Sequence, residues 1–326
     1  MSTHSPIERR TLGKTGVSLP IIGFGASPLG GIYGHVREQD GIDAVKHAIQ
    51  HGINYFDTSP YYGNLKSEIL LGKALQGVPR DHLIVSTKVG RYGDDHFDYS
   101  AKTVQKSITE SLERLGLDYI DLCTCHDIEY SSIDQVVNET IPTLKLLQRE
   151  GKIRHIGVSA FPLRALRLAL EKSNDIEYVM SYARYTLFNT TLEDFWRDVA
   201  EKTQIGVINA SPLSMGLLSP SGPPDWHPAG KNIKETCSRV AEFCRAKNLD
   251  LAKLALQFSS SAPFASCTLV GMLSTDQVQK NLEAISQLSS SAEQLRADLQ
   301  PILEQFRPIK NQAWASGKPE YNDSTP

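Results

Sequence analysis

Two kinds of hydrophobic pattern take turns along this chain. Short β-rich apolar runs occupy residues 21–27, 53–59, 83–90, 119–126, 153–160, 177–183, 205–213 and 266–272. Between them lie helix candidates such as 40–52, 102–116 and 137–151, the last two with apolar residues at three- and four-residue spacing. Gly52, Gly116 and Gly151 follow these helices, where left-handed backbone is wanted to end a helix. Strands alternating with helices build βαβ units and a parallel sheet. Eight such units predict a closed (β/α)8 TIM barrel rather than an open sheet. An open doubly wound sheet would want a G-x-G-x-x-G turn after its first strand, and GFGASPLGG at 23–31 does not supply it.

The chain shows no internal repeat and no linker, so residues 1–326 are expected to form one barrel domain. Segment 8–19 precedes the first long apolar run and carries a Lys-Thr-Gly turn, as a small N-terminal β-hairpin over the barrel bottom would. Segment 213–232 is too long and too rich in Pro and Gly for an ordinary link, which marks a functional or mobile loop. From Lys310 a mostly polar tail, 310–326, carries Trp314, and its end is expected to be disordered.

Composition narrows the function classes. A net charge of -3 provides no basic face for nucleic acid. No run reaches the length of a membrane span, and MSTHSPIERRTLGKTG lacks the apolar core of a signal peptide, so a cytoplasmic location is expected. The five cysteines, Cys123, Cys125, Cys237, Cys244 and Cys267, form no paired CxxC arms, so no zinc site is expected. Cys123 and Cys125 share one face of a strand and read as core. Free thiols fit a reducing compartment. No obligate protein partner is evident.

In a barrel the chemistry sits at the carboxyl ends of the strands. The second run ends in Asp57 and continues to Tyr61 and Tyr62; the third ends in Lys88; the fourth ends in His126, followed by Asp127. Alone, each has an ordinary explanation: a helix cap, a solvated lysine, a structural histidine, a wall tyrosine. Together, on consecutive strands, they form a proton-transfer set. A free tyrosine titrates near pH 10, a neighbouring ammonium favours its phenolate, a carboxylate can hold the ammonium, and an imidazole can orient a substrate oxygen. None of this calls for a metal.

GINYFDTSPYYGNLKSE resembles the aldo-keto reductase signature, the Lys of VSTKVG and the His of DLCTCHD match the family's other catalytic positions, and RTLGKTGVSLPIIGFG resembles its N-terminal hairpin and first strand. The resemblance runs from about residue 8 to 310 and implies a nicotinamide cofactor and no metal. Carried over, Tyr62 is the general acid/base, Lys88 lowers its pKa, Asp57 pairs with Lys88, and His126 orients the substrate oxygen. Tyr62 is preferred to Tyr61 for its spacing from Asp57. GFGASPLGG, DTSPYYG, CHDIE, VNETIP and GPPDWHP look like the family's plant sugar-dehydrogenase branch. That likeness implies NAD-dependent oxidation of a small aldose at C1 to a lactone, with L-galactose expected and D-arabinose or L-fucose as alternatives, in ascorbate synthesis for a plant-like owner. A general NADPH-dependent aldehyde reductase and a non-catalytic nicotinamide-binding subunit are the remaining readings.

The chain departs from the broad family at three aligned positions: Ser159-Ala160 for the usual Ser-Asn, Tyr182 for Gln, and Ala210 for a stacking aromatic. Cofactor contacts are expected from Gly25, Ser159, Tyr182, Ser211, Pro212, Leu213 and Gly216. The positions that hold a 2′-phosphate in NADP-using members align with Gly271 and Gln277, neither cationic, so NAD is expected, with Met272, Gln277 and Asn281 near the adenosine. Substrate contacts are expected from Ser27, Leu29, Tyr33, Asp127, Trp226, His227 and Trp314, because sugars want aromatic walls and a few polar groups.

Overall fold

The computed structural model describes residues 6–288 and 292–323. Its centre is a closed parallel barrel of β1 (Ile22–Gly25), β2 (Tyr55–Asp57), β3 (Ile84–Val89), β4 (Ile120–Cys125), β5 (Ile153–Ala160), β6 (Tyr178–Tyr182), β7 (Gly206–Ala210) and β8 (Cys267–Gly271). Each strand pairs with its neighbours in sequence, and β8 closes on β1 with Gly271 beside Gly25. All eight apolar runs are therefore strands, and the predicted (β/α)8 barrel is the observed one. Gly52, Gly116 and Gly151 all take positive φ, at 91°, 65° and 77°, as helix-ending residues.

The hairpin also forms, from Arg9–Thr11 and Ser18–Pro20 in antiparallel register. Its two leucines, Leu12 and Leu19, are fully buried against Tyr55, Leu122, Tyr178 and Ile208, so it plugs the amino-terminal end of the barrel. A larger apolar layer lies between strands and helices, where Ile22, Phe24, Val85, Cys123, Cys125 and Val158 point outward. Fully burying one such side chain is worth about 1.5–3 kcal/mol.

Two helices stand outside the regular alternation. Lys231–Ala246 follows the long loop after β7, and Ala292–Phe306 precedes the tail. They share a separate core through Cys237, Val240, Ile302 and Phe306 with Leu187 and Leu217. No helix among the described residues is long and apolar enough to cross a membrane.

The tail docks over the rim between β4 and β6. Ser316 Oγ donates to Glu129 Oε1 at 2.9 Å and the Lys318 amide donates to the Glu129 carbonyl at 2.9 Å. The Asp323 carboxylate accepts from the Leu163 and Arg164 amides at 3.2 and 2.9 Å and from Arg184 at 2.5 Å. These amides open the helix Leu163–Lys172, whose first turn favours an anion. The end expected to be disordered, 324–326, lies outside the described residues; the tail before it is firmly held.

Candidate active site

Asp57 ends β2, Lys88 lies one residue from the end of β3, and His126 directly follows β4. Lys88 Nζ donates to Asp57 Oδ2 at 2.6 Å and to the Thr58 carbonyl at 2.8 Å. The other carboxylate oxygen accepts from Ser86 Oγ at 2.6 Å. The pair is almost sealed from solvent, with side-chain exposures of 1% for Lys88 and 6% for Asp57. Such a pair holds its geometry because either partner alone would be a stranded buried charge.

Tyr62 reaches this pair from the turn after β2, and two glycines make that possible. A Cβ on Gly63, which has φ +63°, would lie 2.0 Å from the Gly30 carbonyl; one on Gly30 would lie 2.7 Å from Tyr62 backbone. The turns after β1 and β2 thus touch backbone to backbone, which seats Tyr62 with its ring centroid 4.7 Å from Lys88 Nζ. The Tyr62 and His126 rings meet edge to face at 5.7 Å and 89°. Asp57, Tyr62, Lys88 and His126 are brought together as the sequence implied.

The Lys88 ammonium is bound to Asp57 and lies over the Tyr62 ring, beside the phenol whose pKa it was expected to lower. Burial, reinforced by Asp57 and Asp127, pushes the Tyr62 hydroxyl well above its ordinary value, so the phenol is protonated. His126 moves the other way: burial, then the Lys88 and Arg91 charges, hold its imidazole well below the ordinary range, hence neutral.

Arg91, Tyr99 and Ser59, which sequence reasoning did not select, complete this side around Asp127 and Ser159, which it did. Arg91, just beyond β3, donates to Asp127 Oδ2 at 2.6 Å and to the Tyr61 hydroxyl at 3.1 Å, with its guanidinium 4.0 Å from the Tyr61 ring centroid. In sequence it is indistinguishable from a solvated arginine. Asp127 itself has φ +51°. Its amide donates to Ser159 Oγ at 3.1 Å, and its carbonyl accepts from Tyr99 at 2.9 Å. Ser59 bridges the Tyr61 amide and His126 Nδ1, each at 3.2 Å.

Across the mouth, Tyr182 lies against Phe161 with centroids 5.4 Å apart, and Trp314 stacks on Phe161 at 4.5 Å. Ser211, Ser214 and Met215 in the loop after β7 take positive φ of 56°, 47° and 51°, followed by Gly216 at 104°. Pro212 and Leu213 lie within this loop, and its Ser214 hydroxyl is sealed without a partner. Gly25 and Gly271 leave the β1–β8 seam as bare backbone; a Cβ on them would meet the Val270 carbonyl at 3.1 Å and Pro28 at 2.9 Å. Gln277 Oε1 accepts from the Leu273 amide at 2.9 Å, and Asn281 is half-buried one turn along the same helix. Lys280 pairs outward with Asp276 at 2.8 Å.

Three of the expected contact residues, Met272, Leu29 and His227, have buried side chains. The Met272 side chain is fully buried in the core and offers only backbone to a cofactor. The Leu29 side chain is 3% exposed and packs on Gly41 and the helix layer rather than lining the mouth. His227 is 3% exposed; its Nε2 meets the Ser214 carbonyl at 3.0 Å and its Nδ1 accepts from the Ala229 amide at 3.1 Å, so both nitrogens fix the loop and neither is free for a sugar. Ser27 is half-buried at the first turn. Tyr33 and Trp226 face each other at 5.8 Å, joining the loop after β1 to the loop after β7, and both are exposed.

A closed barrel with Asp, Tyr, Lys and His converging at its carboxyl-terminal mouth defines an oxidoreductase class. The chain belongs to the Aldo/keto reductase family, whose profile matches residues 21–297. It is 46% identical over 317 residues to L-galactose dehydrogenase of Arabidopsis thaliana, covering 95% of this chain and 98% of the relative. It is 32% identical over 295 residues to D-arabinose 1-dehydrogenase of Saccharomyces cerevisiae, covering 85% and 87%. Among solved structures, aldo-keto reductase AKR11C1 from Bacillus halodurans superposes with a TM-score of 0.76 at 27% identity, covering 94% and 98%.

Proposed function

We propose that this protein oxidises the anomeric carbon of an aldose to the lactone with NAD, and that the aldose is L-galactose. The observation that carries the reading is the contact between Tyr62, the sealed Lys88–Asp57 pair and His126 at the mouth of the barrel. The near-full-length likeness to an L-galactose dehydrogenase supports the sugar. D-arabinose and L-fucose are the competing substrates, the former favoured by the second relative.

The residues fit a nicotinamide dinucleotide. The bare Gly25–Gly271 seam and the left-handed residues Ser211, Ser214, Met215 and Gly216 of the loop after β7 offer close backbone approach. Gly25, Ser211, Gly216, Gly271 and Asn281 would hold it, with Tyr182 as a wall. Gln277 is spent on its own helix cap and Lys280 on Asp276, which supports NAD over NADP because a 2′-phosphate wants a free cation. When bound, an oxidised nicotinamide supplies the acceptor for the C1 hydride and one positive charge, which favours the phenolate. Tyr62 then takes the proton from the C1 hydroxyl, His126 donates a hydrogen bond to the same oxygen, and Lys88, fixed by Asp57, stabilises the phenolate. Such proton transfer contributes roughly 10²–10⁴-fold.

The test is NADH formation with NAD and each of L-galactose, L-fucose, D-arabinose and D-galactose. Turnover fastest with L-galactose and absent with D-galactose is expected. Folded protein that forms no NADH with any of them, but reduces a simple aldehyde with NADPH, would overturn both sugar and cofactor.

A further inference from the structure

We propose that Ser59 is a positioning residue that sets the tautomer of His126, placing its single proton on Nε2. Ser59 is fully buried in the turn between β2 and Tyr62, and its hydroxyl has two polar neighbours. The Tyr61 amide donates to Ser59 Oγ at 3.2 Å, so that oxygen is already an acceptor. His126 Nδ1 lies 3.2 Å from the same oxygen. A serine hydroxyl has one proton to give and, sealed from water, must find an acceptor for it. The lone pair of an unprotonated Nδ1 is that acceptor. The opposite tautomer, with the proton on Nδ1, would leave the Ser59 proton without a partner.

The far side of the ring argues the same way. His126 Nε2 lies 3.6 Å from Asp127 Oδ2. A protonated Nε2 faces this carboxylate favourably; a bare lone pair there would face negative charge. Arg91, bound to the same oxygen at 2.6 Å, keeps Asp127 in place. The groups facing the imidazole are therefore Ser59, Tyr61, Tyr62, Lys88, Arg91 and Asp127, and the two cations among them disfavour a second proton on the ring. Burial and the two cations hold the ring to one proton, and Ser59 decides where that proton sits. The consequence is functional: Nε2–H is a hydrogen-bond donor ready for a substrate oxygen, whereas an Nδ1–H ring would present a lone pair to it and repel it.

This inference rests on the role given to His126 above, and its first readout needs no substrate. Nitrogen-15 NMR of the histidine-labelled full chain is expected to show His126 neutral with the proton on Nε2 in the unmodified protein. In Ser59→Ala the signals should shift toward a mixture of tautomers, with kcat for the aldose falling about 10- to 100-fold, a fraction of what proton-transfer groups contribute. Ser59→Thr, which keeps the hydroxyl, should retain the original signature and at least half the lost rate. An unmodified protein with the proton on Nδ1, an Ala variant with an unchanged signature, or a Thr variant that behaves like Ala would each overturn the proposal. Absence of aldose turnover in the unmodified protein would count against the function proposed above and leave the NMR result to decide this one.

Discussion

The two halves of the barrel mouth are built on opposite principles. On the β2–β4 side, charged groups are buried and paired: Lys88 with Asp57, and Arg91 with Asp127, at 2.6 Å each. On the β7–β8 side the rim is glycine, strained loop backbone and neutral side chains, with its nearest cation, Lys280, turned outward to Asp276. Buried charge pairs tolerate almost no displacement, which suits groups that must meet a reacting atom. Bare backbone tolerates a long ligand lying across it. The proposed function thus places its chemistry where the structure is stiff and its binding where it is open.

The largest effect should come from breaking the stiff side at its tip. Tyr62→Phe should lower aldose oxidation by about 10³-fold with the fold intact, measured as kcat beside a thermal unfolding curve. Wild-type turnover in that variant would end the acid/base assignment. Next, Lys88→Met removes one partner of a sealed pair and should cost about 3–5 kcal/mol of stability in denaturant unfolding, besides abolishing activity. A loss below 1 kcal/mol would mean the pair is less isolated than its exposure indicates.

The open side predicts a cofactor preference. The ratio of kcat/KM for NAD over NADP should exceed about tenfold, since Gln277 is bound to the Leu273 amide and Lys280 to Asp276, while an extra phosphate wants a cation. Equal values would show that Lys280 leaves Asp276 to serve it.

The smallest effect concerns the border between the two halves. Glu129 is fully buried; burial first, and Asp127 second, push its carboxyl up to about 8 from the ordinary 4.5. Because the folded form holds the proton more tightly, stability from this group is complete below 4.5 and is lost as the pH rises through about 8. Glu129→Gln, which cannot ionise, should flatten that decline in the melting temperature. An identical pH profile in both proteins would remove Glu129 as its source.

The fold was legible because each strand is a separate apolar run and each of three helices ends in a glycine with positive φ. The proposed catalytic four were legible because polar types gather at consecutive strand ends and in the turn after β2, at the spacing of the family's signature. The partners of those residues were not. Arg91, Ser59 and Ser86 are common residue types whose meaning depends on what lies across the barrel, and sequence spacing does not carry that information. His227 shows the converse: a histidine beside a Trp in a Pro-rich loop looks like a sugar contact until both its nitrogens are found on backbone. Leu29, in the turn after β1, and Met272, just past β8, make a similar point, since a side chain there can face the helix layer as easily as the mouth.

The placement of the tryptophans makes the protein its own optical probe. Of the three, Trp196 packs on Phe264 in the outer layer, while Trp226 and Trp314 flank the entrance, one 53% exposed beside Tyr33 and the other stacked on Phe161. Emission from the entrance pair should respond to anything that enters or leaves, against a constant background from the third. Ligand titrations and loop motion can therefore be followed by intrinsic fluorescence, without a label and without waiting for turnover.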